Sequence, residues 1–90
     1  MRKEEIAFTN EEKKLIIECL KKDLIDLKTQ EQLLRGTITK LKRGELEKGH
    51  LIIILNSVVH DVSQRLLGGY DTEETRKLAE LALKISKVIG

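Results

Sequence analysis

Residues 51–62, LIIILNSVVHDV, set five large aliphatic side chains in a row and then add Val58, Val59 and Val62. No other stretch is as apolar, so the flanking segments must fold onto this one. Five consecutive apolar residues read equally well as a buried strand or a buried helix. The residues downstream decide. Ile52, Leu55, Val59, Val62 and Leu66 step by 3, 4, 3 and 4, one face of a helix held over four turns. Asn56-Ser57 and His60-Asp61 break the alternation a strand requires. The reading is a helix over about 45–67. Residues 51–55 cover its whole circumference. Ile53 and Ile54, off the 52/55/59/62/66 seam, therefore need cover from further neighbours, in this chain or in a second copy.

The segment before it opens with Thr9-Asn10-Glu11-Glu12, a capping box with Thr9 as N-cap, and Phe8 is expected to plug the mouth of that helix. Its seam reads Ile17, Leu20, Leu24, Leu27, Glu31, Leu34, Ile38 and Leu41, close to a heptad repeat and interrupted only by Glu31. This predicts one helix over about 10–43, about 50 Å long. Gly36 is the weak point, since glycine costs about 1 kcal/mol in a helix interior. Ile38 and Leu41 stay in register with Leu34, which favours continuity. Lys40, Lys42 and Arg43 followed by Gly44 mark a helix end. The short connection that follows turns the second helix back against the first. Gly68-Gly69 ends that second helix, and Asp71 with Glu74 repeats the start signal for a third over about 71–89. The fold class expected is all-α: residues 1–90 form a single helical domain, a three-helix antiparallel bundle with a long first helix and coiled-coil-like packing.

A chain of 90 residues has little interior, and oligomerisation is a common remedy. The second helix can retrace only part of the first, which leaves apolar surface projecting. A homodimer or higher oligomer is expected, with Ile17, Leu20, Leu24, Ile53, Ile54 and Val58 as interface candidates. A net charge of +2 argues against a nucleic-acid sponge. A single cysteine, Cys19, forms no intrachain disulfide, and no apolar run approaches membrane-spanning length. The expectation is a cytoplasmic protein without membrane contact.

Chemistry-bearing motifs are sparse. His50 and His60 lie about 15 Å apart along one helix, too far to share a metal. Glu47 and His50 have the E-x-x-H spacing of di-iron bundles, which need that motif twice plus further inward glutamates. Arg43 and His50 have an R-x6-H spacing that resembles the signature of HEPN-type ribonucleases, which implies action on an RNA phosphate from one helix. Two residues carry the resemblance, with Gly44 and Gly49 between them. Cys19 reads as a small hydrophobe. Asn56, His60 and Gln64 step by four and read as a solvent face. Arg35, Lys40, Lys42, Arg43 and Lys48 surround the first helix turn and are candidates to contact phosphate or an acidic partner. Glu45 and Glu47 interleave them and no aromatic is at hand for base stacking. The expected function is a non-enzymatic protein–protein interaction module (a regulator, adaptor or inhibitor) that needs no cofactor. A nucleic-acid-binding regulator and a small RNase-like or metal-dependent enzyme are the alternatives.

Overall fold

The computed structural model describes residues 8–26, 31–69 and 71–89, with the backbone alone at Asp26. Among these residues there are four helices and no strand: α1 (Asn10–Asp26), α2 (Glu31–Arg43), α3 (Lys48–Leu67) and α4 (Glu73–Ile89). The all-helical class expected from the pattern is met, but the count of three is not. The single first helix of about 10–43 is two helices, α1 and α2, which pack against each other and share the core with α3. The molecule measures 41 Å in its longest dimension, shorter than the rod of about 50 Å that an unbroken helix would make. The one polar residue in the expected seam, Glu31, is where α2 begins. There it takes the first-turn position that suits an acid, and its carboxylate pairs with Arg35 one turn on. Leu27, part of that seam, lies outside the described residues.

Local chemistry explains most helix ends. Thr9 and Glu12 form the expected capping box: the Thr9 N–H donates to Glu12 Oε1 at 2.8 Å and the Glu12 N–H to Thr9 Oγ1 at 3.1 Å. α2 stops at a glycine-closed C-terminus. Gly44 sits at φ +72°, while the Gly44 and Glu45 N–H groups donate to the Leu41 and Lys40 carbonyls. α3 starts three residues later than expected, at Lys48. Leu46 turns into the core instead, and Glu47 becomes the N-cap. The α4 cap also moves by one residue. Thr72 Oγ1 accepts the Thr75 N–H at 3.3 Å, while Asp71 pairs with Arg76 and Glu74 reaches back to Arg65.

The predicted weak point in the first helix, Gly36, lies inside α2 with open space around the position of a Cβ. Gly36→Ala is therefore expected to raise stability by about 0.5–1 kcal/mol, read as a shifted denaturant midpoint with unchanged slope.

α3 is the centre of the fold and contacts all three other helices. Its buried residues are Leu51, Ile54, Ser57, Val58 and Asp61. The 52/55/59/62/66 seam read from the sequence is thus only an edge of the core: Leu55 and Val62 are half-buried against it, while Ile52 and Val59 are 41% and 46% exposed and Leu66 is 55% exposed. The helix instead buries Leu51, Ile54, Val58, Asp61 and, in part, Arg65, which keep the same rhythm of 3, 4, 3 and 4. Two of those five residues are charged, so apolarity alone favours the wrong face. The structure can bury them because they neutralise each other.

Candidate functional site

Asp61 and Arg65 are one turn apart on α3, and their side chains meet α1 and α4. Asp61 Oδ2 accepts the Cys19 thiol at 3.3 Å and Arg65 Nε at 3.3 Å; Oδ1 faces Lys22 Nζ at 3.3 Å. Arg65 Nη2 goes on to Glu74 Oε1 at 3.3 Å, so the chain of charges ties α1, α3 and α4 together. The Asp61 side chain is 12% exposed and that of Arg65 20%. Burial would raise the Asp61 carboxyl, but the Cys19 thiol, Lys22 and Arg65 outweigh it and hold the group below the usual carboxylate range. Burial, then the Asp61 charge beside it, push the Cys19 thiol up to about 12. At neutral pH it is a protonated donor and no nucleophile. Ser57, one turn before Asp61, is buried, and its Oγ has no hydrogen-bond partner among the described residues. Ser57→Ala removes a desolvated hydroxyl and is expected to leave stability unchanged or raise it by up to about 1 kcal/mol, measured by urea unfolding.

The motifs that suggested chemistry serve the backbone. His50 Nδ1 accepts the Glu47 N–H at 3.1 Å, and the Glu47 side chain accepts the His50 N–H. The E-x-x-H pair is thereby a capping box at the start of α3. Among the described residues no group of three or more His, Cys, Asp or Glu side chains is placed to hold a metal ion. No helix there is long and apolar enough to cross a membrane. Around the α2–α3 turn, Arg35 pairs with Glu31 and Lys40 with Glu45, while Lys42, Arg43 and Lys48 are exposed. Asn56, His60 and Gln64 are exposed, as expected.

The candidate interface residues divide. Leu20, Ile54 and Val58 are fully buried within one chain and offer nothing to a second copy. Ile17, Leu24 and Ile53 are half-buried and pack against the same core. Among the described residues the exposed large apolar side chains are Ile25 on α1, Leu33 on α2, Ile52, Val59, Leu66 and Leu67 on α3 and Leu83 on α4, so most of them lie along α3 and α4. Leu55, Val59, Val62 and Ser63 from α3 and Ala79, Ala82, Leu83 and Ser86 from α4 line an open groove. The α4 side of the lining is mostly small side chains, and its one large residue, Leu83, is 63% exposed. Ile52 and Leu66 extend the apolar stripe beyond both ends of the groove. Sequence reasoning identified the stripe and assigned it to the core. The visible sign of its exposure was the bare 79/82/86 line of small residues on α4, which cannot reach across to cover Val59. No protein-family model matches the chain, and no curated protein or solved structure matches it.

Proposed function

We propose that this chain is a non-enzymatic protein–protein interaction module, self-associating or partner-binding, whose contact surface is the apolar α3–α4 face. One observation carries this: the stripe Ile52, Val59, Leu66 and Leu83 stays exposed beside an apolar groove although the rest of the chain has closed a core without it. Contiguous apolar surface of this kind is costly in a lone soluble chain and marks a contact site. An amphipathic helix fits such a groove, with anchors spaced three, four and seven residues apart. The cysteine, the histidine motif and the buried carboxylate all have structural partners, which supports a role in binding over one in chemistry.

The test compares wild type with Val59→Asp as baits against extract of the native host. Val59 is half-exposed, so its replacement should leave the circular-dichroism spectrum and melting temperature close to wild type. The wild-type bait should retain a partner, itself or another protein, that the variant loses. Identical sets of proteins on both baits would remove the α3–α4 face from consideration.

A further inference from the structure

α2 presents to the outside a surface unlike the apolar α3–α4 face. The helix packs on α1 and α3, and its buried residues are Leu34, Thr37 and Leu41. The side opposite those three carries Gln32, Arg35, Gly36, Thr39, Lys42 and Arg43, all exposed. At 100° per residue, these six fall within about 120° of the circumference. That arc holds no carboxylate and no large apolar side chain, because Glu31 and Leu33 fall just beyond its two edges.

The acids that interleave the basic residues in sequence do not neutralise this face. Glu45 pairs with Lys40, and the Glu47 carboxylate caps α3 by accepting the His50 N–H. Glu31 pairs with Arg35, but an exposed pair of this kind is weak and opens readily to a competing anion. Lys42, Arg43 and, at the start of α3, Lys48 have no ion-pair partner among the described residues. The composition of the face then selects the partner. Protein contacts centre on apolar and aromatic anchors, and the arc has neither. Nucleic-acid contacts are polar and strongly positive, with Arg, Lys and Gln side chains on phosphate oxygens. Gly36, with open space around its Cβ position, leaves the helix backbone accessible to a close-lying phosphate strand. Residues 31–50 include no Phe, Tyr or Trp on which the bases of a single strand could stack, which favours a duplex. A helix of 13 residues, open along one side, has the dimensions to lie in a major groove.

We infer that the exposed face of α2 binds the phosphate backbone of double-stranded nucleic acid. Arg35, Lys42, Arg43 and Lys48 are the cations that meet phosphate, and the Gln32 amide is a further donor. This surface is separate from the α3–α4 groove and does not depend on it. Fluorescence anisotropy of the full chain with a short labelled DNA duplex of mixed sequence tests it, with circular dichroism as the folding control. Wild type should bind at low salt, and log affinity should fall against log salt with a slope of about −3 to −4, the value for four phosphate contacts. Lys42→Glu with Arg43→Glu removes two of the four, so the slope should shrink by about two and the low-salt affinity should drop at least about tenfold. The neutral pair Lys42→Gln with Arg43→Gln should shrink the slope equally. Lys21→Glu with Lys87→Glu, at exposed cations on α1 and α4, changes the net charge as much as the first pair and should leave the affinity within about threefold. No binding at low salt overturns the inference. Equal weakening by the two Glu pairs overturns it as well, since net charge alone would then be responsible. Polyglutamate that displaces the labelled duplex as well as unlabelled duplex does would make the face a site for acidic proteins and overturn the nucleic-acid assignment.

Discussion

Ile54→Ala is expected to lower the free energy of unfolding by about 4 kcal/mol, within the 2–5 kcal/mol range for truncating a buried isoleucine. Ile54 is fully buried in the core, on the helix that touches all the others, so the truncation opens a cavity there. Small domains have about 5–15 kcal/mol of total stability, so this variant should sit near the edge of folding at ambient temperature. Ile52→Ala, two residues earlier in the same aliphatic run, removes the same atoms from a side chain that is already 41% exposed. Its cost should stay below about 1 kcal/mol. Urea unfolding of the two variants side by side checks the rotation of α3. Equal losses at 52 and 54 would contradict the seam that the structure buries.

The second large effect is at Asp61. Asp61→Asn keeps the shape but removes the charge on which the Cys19 thiol, Lys22 and Arg65 converge. Arg65 stays partly buried with Glu74 as its remaining anion, and a loss of about 2–3 kcal/mol near neutral pH is expected. The effect depends on pH with a definite sign. The folded-state value of Asp61 lies below its ordinary 3.8, so the unfolded chain takes up the proton first as the pH falls. The stabilisation is complete above the ordinary value and is lost as pH drops through the folded one. The gap between wild type and Asp61→Asn in urea midpoint should therefore be wide at about pH 7 and should narrow as the pH falls below the ordinary 3.8. A gap of constant width across that range would mean that the carboxylate charge contributes nothing.

How far the fold was legible depends on how local the cause was. The Thr9–Glu12 capping box and the glycine stop at Gly44 involve only neighbours in sequence, and they appear where the pattern places them. Thr72 displaced Asp71 as the α4 cap, a slip of one residue between two side chains of similar capping strength. The division of the first helix was half visible. Glu31 breaks the repeat, yet Ile38 and Leu41 remain in register with Leu34 whether the helix continues or folds back. The face of α3 was the larger error. An aliphatic run that surrounds a helix carries no direction of its own, and the five residues that follow the buried rhythm include Asp61 and Arg65. Charge excludes a residue from the core only while it lacks a partner.

The sequence by itself determined that the chain is helical, where most helices cap, and that it holds more apolar surface than a small core can use. These follow from side-chain spacing and from hydrogen bonds spanning three or four residues. Only the tertiary structure decided that α2 folds back on α1, that Asp61 goes inside, and that Ile52, Val59 and Leu66 stay outside. Each of those outcomes turns on a partner distant in sequence: Cys19 and Asp61 lie 42 residues apart, and no periodicity within one helix records which side its neighbour will occupy.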